Sequence, residues 1–548
     1  MTSTLPAATG IEVPAQRTAA PTPRSTGRTQ PPQRLRSSRP DLLVCGLLLV
    51  AILVVQGWNI ADYPTLSDDE GTYLAQAWAV QEGRGLAHYT YWYDHPPLGW
   101  IQIAVLTWIP ALISPDTMTV GTMRAAMLLV SAAGAVLVYV LGRRLALPRW
   151  AAALGMALFG LSPLSVVLQR EIFLDNLAVM WTLLAFALAA SPSRHLWHHF
   201  GAGIAAATAV LTKETMLVVL PALLLTMWRH SHRDTRKFAV TGAITACVLI
   251  GLSYPLFALL KGELLPGVGH VSLWDGITYQ MSRPGSGFIL DEGSGSHGVL
   301  QSWLYYDRVL PLGGLAGALL LLLTWRWSVT ARALAGPALT VAILALVALR
   351  PDGYLPAMYI IQALPFLALV LAGGTASVAH AVLRKRRREG RRPHARYALA
   401  AVLALAASAY VVPRWYDGAR TAMTTDANAP YQAAAHWLGT EVEHPADTRV
   451  LVDDALWLDL VHHGYEPGLG AIWFYKADLD PAVTRTMPRG WRDLDYVVAS
   501  PTVRRDAVDL PNVRAAIEHS APVAVFGTGA DRIEIRRIQQ AGTPGGER

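Results

Sequence analysis

The chain reads as an all-α polytopic membrane protein with one small α/β domain at its carboxy-terminal end. Three observations predict this. Hydrophobic residues fill 53% of the 548 positions and charged ones only 16%, where soluble proteins carry about 25% charged residues. The apolar residues gather in repeated runs of about 20, enough for a helix to cross a bilayer. The runs stop near residue 416, and over 417–548 the composition becomes ordinary, with the apolar pattern of short strands.

The formal charge of +7 does not point to nucleic acid, because the arginines lie in short clusters between apolar runs. That is the pattern of cytoplasmic loops. Residues 1–40 are rich in Pro, Thr, Ser, Ala and Arg and have no apolar face, so they are predicted to be a disordered basic tail. Its arginines, Arg17 to Arg39, place it in the cytoplasm. The first apolar run begins only near Asp41, too late and too long for a cleaved signal peptide, and reads as a retained span. Cys45 and Cys247 both fall in apolar runs and are packing residues.

A single threading puts every basic cluster inside. Residues 41–61 span, and 62–120 form a long external loop with two helices lying in the interface. In the first of these, Leu74, Ala77, Trp78 and Gln81 share one face. Further spans are expected at 121–142, 150–168, 174–191, 199–212, 215–228, 238–260, 309–325, 335–349, 354–380 and 397–415. That makes about eleven, a membrane domain of 41–416, and a plasma-membrane protein with its N-terminus inside and its C-terminal domain outside. One continuous helix over 199–228 would be about 45 Å long, so a break is expected at Lys213-Glu214. Residues 261–308 form a second external loop, rich in glycine and aromatics, that suits a lid or a plain connector.

Charges left at the external face are the candidate chemistry. Asp68-Asp69-Glu70 follow the first span, and a carboxylate there can take a proton from an attacking hydroxyl. Acids also simply suit a helix start. Arg170 and Asp175 sit between two later spans; the arginine can meet a phosphate, or tie two helix ends. Lys213-Glu214 interrupts an apolar stretch, where a lysine can hold a lipid-linked phosphate or pair with its neighbour. His95, in Asp94-His95-Pro96-Pro97-Leu98, can touch phosphate or sugar, while the prolines start a helix. Arg308, Asp352 and Tyr354 are weaker candidates. The D-x-D triplets at Asp478–Asp480 and Asp493–Asp495 are discounted as chance, and the histidines His195, His198, His199, His230 and His232 lie on the cytoplasmic side. No P-loop or H-E-x-x-H motif occurs.

The ordered set of Asp69-Glu70 after span one, His95-Pro96-Pro97-Leu98, Arg124, Leu161-Ser162-Pro163 before Arg170 and Asp175, and the Lys213 break resembles the GT-C glycosyltransferases. The resemblance covers roughly 41–380 and lies nearest to family 39, the dolichyl-phosphate-mannose protein mannosyltransferases and the lipid A aminoarabinose transferases. It implies an inverting transferase that uses a polyprenyl-phosphate sugar, mannose by default, at the outer face. By the same resemblance Asp69 is the base, Glu70 supports the acceptor site, and Lys213 and Arg170 meet the donor phosphate. His95 stands where that family often has lysine. A divalent cation is left open, with no metal ligand assigned. The acceptor is a hydroxyl of a protein, a lipid or a cell-wall glycan. Two other classes compete. A flippase for a lipid-linked glycan would show repeats and midplane charges, and neither is visible. A cell-envelope scaffold would not need Asp69.

Overall fold

The structure, a computed structural model, describes residues 39–86, 93–113, 119–268, 270–384 and 394–539; most of the expected basic tail lies outside them. The first described helix, α1 (Arg39–Gly57), is apolar all round. Its free side leaves Leu42, Leu43, Leu47 and Val50 more than 60% exposed, as a bilayer-facing helix does. After it come α2 (Asp68–Gln81) and α3 (Leu98–Ile113), the two helices expected in the first external loop. They pack together: Leu74, Ala77 and Trp78 are buried, and Gln81 Nε2 donates to the Ala104 carbonyl at 2.7 Å and to Thr107 Oγ1 at 3.1 Å.

The expected count of about eleven spans is not confirmed. Among the described residues four helices are long and apolar enough to cross a membrane: Arg39–Gly57, Val120–Arg144, Arg236–Leu260 and Leu364–Ala381. Two bent pairs raise this to six if each counts as one span. Arg149–Leu161 and Pro163–Arg170 bend by 58°, and Gly295–Tyr306 and Val309–Thr324 by 103°. The expected figure of about eleven treated every apolar run as a full crossing. Several runs are instead short helices, such as Leu174–Ala189 with 16 residues and Ala335–Ala348 with 14. At 1.5 Å per residue these reach about 20–25 Å, less than the roughly 30 Å of hydrocarbon. They are apolar because they are buried against other helices.

The break at Lys213 falls where charge and length place it. Helix Leu196–Thr212 stops, a 3-10 turn runs over Glu214–Val219, and helix Leu220–His230 carries on. From helix His394–Thr424 the chain passes into the α/β domain. Its strands are β1 (Val450–Val452), β2 (Ala471–Trp473), β3 (Tyr496–Ala499), β4 (Ser520–Phe526) and β5 (Ile533–Ile538), in spatial order β2-β1-β3-β5-β4. The first three are parallel, and β5 runs antiparallel to both β3 and β4. Alternation along the strands divides two cores. Val450, Val452, Val498, Ile533 and Ile535 face a core shared with the helical bundle, whereas Leu451, Ile472 and Val497 face a second one.

The shared core forms because helix Asp454–His462 lies on α2, with Trp78 and Trp457 edge to face at 5.5 Å between centroids. The connecting segment is stitched to the chain just before α2. Asn428 accepts from the Leu66 amide at 3.0 Å and donates to the Ala61 and Pro64 carbonyls at 2.9 and 3.0 Å. The domain therefore sits on the same face as the first loop.

Candidate active site

The first turn of α2 concentrates three acids where unpaired helix amides favour negative charge. Successive positions then turn by about 100°, so the acids point to different places. Glu70 points inward. Arg124 donates Nε to Glu70 Oε1 at 2.8 Å and Nη2 to Oε2 at 2.5 Å, and the Ile172 amide adds a bond at 2.9 Å. Both side chains are wholly buried. With the Ser67 amide also donating to Oε2 at 3.2 Å, each Glu70 oxygen accepts two hydrogen bonds, and the side chain anchors α2 to the bundle.

Arg170 is held by backbone carbonyls. Its guanidinium donates to the Tyr63 and Ala422 carbonyls at 3.1 and 2.9 Å, and to those of Val55 and Trp58 at 2.7 and 2.8 Å. It is wholly buried. These bonds engage both Nη groups and tie the end of α1 to the segment entering the α/β domain, while Nε is buried with no hydrogen-bond partner among the described residues. An arginine at a helix end does either job, and sequence alone does not separate them.

Asp69 is half-buried and shares its face of α2 with Tyr73, one turn on. The Tyr73 ring lies 6.1 Å from that of His95 and 6.0 Å from Lys213 Nζ. His95 bridges two groups: Nδ1 lies 3.1 Å from Glu214 Oε2, and Nε2 lies 2.9 Å from Lys213 Nζ. With the imidazole neutral and its proton on Nδ1, both contacts are hydrogen bonds. Lys213 Nζ also stands 3.8 Å from Asp175 Oδ2, while Gln362 Nε2 donates to Asp175 Oδ1 at 2.9 Å and Thr215 Oγ1 at 2.7 Å. The fold thus gathers Asp69, His95, Asp175, Lys213 and Glu214 from four separate stretches. Burial raises the Asp69 pKa; Lys213, and His95 whenever its ring is protonated, pull it back down, and Asp175 pushes it up again.

A fourth charge acting on Asp69 is Arg283, which lowers the same pKa and was missed in the sequence. It comes from the glycine-rich loop. Its guanidinium carbon lies 4.6 Å from the Tyr354 ring centre and 5.5 Å from that of Tyr279. The available signal was a lone cation within an aromatic external segment. That loop is ordered by helices Leu273–Ser282 and Gly295–Tyr306 and by two bonds: Gln280 Nε2 to the Asp94 carbonyl, and the Ser286 amide to that of Gly353, both at 3.1 Å. The loop therefore brings Arg283 near enough for its charge to act on Asp69.

The D-x-D acids are used structurally. Asp480 pairs with Lys476 at 3.2 Å, Asp493 with Arg489 at 2.6 Å, and Asp478 accepts from the Asn512 amide at 2.9 Å. Among the described residues no group of three or more His, Cys, Asp or Glu is placed to hold a metal ion.

The same arrangement of helices is known from solved structures. The crystal structure of ArnT from Cupriavidus metallidurans bound to undecaprenyl phosphate aligns over 91% of this chain and 99% of that one, at 15% identity and a TM-score of 0.57. The fold is that of the GT-C superfamily. The apo oligosaccharyltransferase of Archaeoglobus fulgidus gives 13% identity and a TM-score of 0.55, covering 90% of this chain and 74% of that chain. Its AglB complex with an inhibitory peptide and a dolichol-phosphate gives 12%, 0.54, 92% and 75% in the same order. Within this chain, residues 93–261 match the family described as dolichyl-phosphate-mannose-protein mannosyltransferase. No sequence among curated proteins matches it. Because the ArnT alignment spans nearly all of both chains, the carboxy-terminal domain is included in the likeness.

Proposed function

We propose that the chain is a membrane glycosyltransferase that moves a hexose or pentose from a polyprenyl-phosphate carrier to a hydroxyl acceptor at the external face. The reading rests on one observation above all: half-buried Asp69 has its pKa raised by burial while Lys213 and Arg283 bring positive charge to it and His95 holds Lys213 beside it at 2.9 Å. A base and a set of phosphate-binding cations are what this transfer needs. Asp69 takes the acceptor proton as the acceptor oxygen bonds to the anomeric carbon, and the sugar–phosphate bond breaks on the opposite side. The carrier phosphate leaves with the bonding pair, its charge met by Lys213 and Arg283. A single displacement inverts the anomeric centre and needs only one carboxylate, in contrast to the two of retaining hydrolases.

His95 and Glu214 hold Lys213 toward the site, and Asp175 keeps it charged. Mannose is the default sugar, from the family matched over 93–261. ArnT with undecaprenyl phosphate and AglB with dolichol-phosphate support a lipid-phosphate donor. Asp69→Asn tests the reading: it is expected to abolish release of carrier phosphate while the protein still inserts and keeps its melting temperature. Full turnover in that variant would remove Asp69 as the base.

A further inference from the structure

The face of α2 that points away from the bundle is held by the α/β domain, at residues next to Asp69. Thr72 Oγ1 hydrogen-bonds to Asp454 Oδ2, and the Tyr475 hydroxyl donates to the same oxygen at 3.3 Å. Gly71 lies so close to the start of helix Asp454–His462 that a Cβ there would collide with the Asp454 carbonyl, 2.6 Å from the Ala455 nitrogen. Only glycine permits that approach of backbone to backbone. One turn further on, Trp78 meets Trp457. Asp454 itself is 2% exposed, and Asp453 caps its helix by accepting from the Leu456 amide at 3.1 Å. The helix bearing the proposed base is thus gripped twice: from within by Arg124 on Glu70, and from outside by Asp454 on Gly71 and Thr72.

We infer that Asp454 is a positioning residue for the transfer reaction, fixing the rotation and depth of α2 and so the place of the Asp69 carboxylate. The inference rests on the reading of Asp69 as base. Asp454 acts as a neutral acceptor. Burial, with Asp68 and then Asp453 beside it, pushes its pKa well above the usual carboxylate range, and its other oxygen is buried with no hydrogen-bond partner among the described residues. An amide oxygen takes the same hydrogen bonds, so the carboxyl should be replaceable by a carboxamide but not by a methyl group. A catalytic carboxylate such as Asp69 behaves in the opposite way.

The test uses the full chain in nanodiscs, a panel of undecaprenyl-phosphate hexoses and pentoses, a membrane extract as acceptor source, and released undecaprenyl phosphate as readout. Asp454→Ala is expected to lower kcat by about 10- to 100-fold, as a displacement of the reacting groups by an ångström does, with donor KM unchanged within about two-fold. Asp454→Asn should stay within about three-fold of wild type. Thr72→Val should follow Asp454→Ala, and the double variant should be no worse than either single one. If Asp454→Ala does not fold, Thr72→Val with its rescue by Thr72→Ser decides. Wild-type kcat in Asp454→Ala or Thr72→Val, a change confined to KM, or strictly additive losses would each overturn the proposal. Asp69→Asn runs alongside: should it keep its activity while Asp454→Ala loses it, the base assignment falls and the grip on α2 stands.

Discussion

At the scale of single residues, chemistry and packing use the same side chains, and direction decides which. Asp69 and Glu70 are neighbours of like charge, yet one is half-open and the other is buried against Arg124. Arg124→Ala would strand the Glu70 carboxylate, at a cost of about 3–5 kcal/mol, and should abolish folded protein in thermal-melting assays. Arg124→Lys cannot repeat a two-pronged bond from Nε and Nη2 and should be destabilised as well. Asp69 gives a second prediction. Its carboxylate must be ionised to act, so activity falls as pH drops through its pKa, above the ordinary value of about 3.9. Lys213 holds that pKa down, so in Lys213→Ala the acid limb of the kcat/KM profile should shift to higher pH, beyond any loss of phosphate binding. A limb that stays in place would separate Lys213 from Asp69. The sequence marks Asp69, His95, Asp175 and Lys213 because charges at an apolar boundary need a reason to exist. Glu70 and Arg170 carry the same mark. Their roles were illegible because a sequence gives a charge its depth along the chain but not the compass direction in which it points.

At the scale of elements, what could be read depended on whether a signal was local. The break at Lys213 was legible, since charge and excess length agree on it, and so were β1, β3, β4 and β5, from their apolar patterns. β2 was not: its three residues, Ala471–Trp473, follow Gly468 and Gly470 and give no period to count. The number of crossings is not confirmed, for a different reason. Short buried helices and full spans are equally apolar, and only neighbours tell them apart. Glycines show the same dependence on neighbours. Gly203 and Gly242 sit on adjacent helices, Leu196–Thr212 and Arg236–Gly251. A Cβ at Gly203 would lie 2.8 Å from the Ala243 Cα, whereas at Gly242 it would meet nothing within 4 Å. Gly203→Leu should therefore destabilise the bundle by about 1–3 kcal/mol through overpacking. Gly242→Leu should be neutral or better, since leucine favours the helix by roughly 0.8 kcal/mol. Equal melting temperatures for the two variants would mean that these helices do not pack as closely as described.

At the scale of the whole molecule, the α/β domain and the bundle share one core, and the seam between them is acidic. Asp68 is half-buried there, with its pKa raised to about 7 by burial, then by Asp453 and Asp69, and opposed by Thr502 and Arg505. Asp459, in the same domain, is raised to about 8 by burial and by Asp453. A carboxyl whose pKa is higher folded than unfolded binds its proton more tightly in the folded state. Its contribution is whole below the unfolded value of about 3.9 and is lost as pH rises through the folded one. Lys476 works the other way: burial lowers its pKa to about 8, so its contribution to stability is gained as pH climbs from about 8 toward the ordinary lysine value of about 10.4, outside the window of Asp68. Between pH 5.5 and 7.5 Asp68 is thus the seam acid that loses its proton. Asp459 begins to lose its proton at the upper end of this range, so the wild-type melting temperature alone does not isolate Asp68. Asp68→Asn does, because the amide mimics the protonated acid at every pH. Its melting temperature should exceed that of wild type already at pH 5.5 and by a larger margin at pH 7.5, the gap widening as one proton's worth of linkage is lost up to about pH 7. The same gain at both pH values would place Asp68 in open water, and the seam would then not be closed over it.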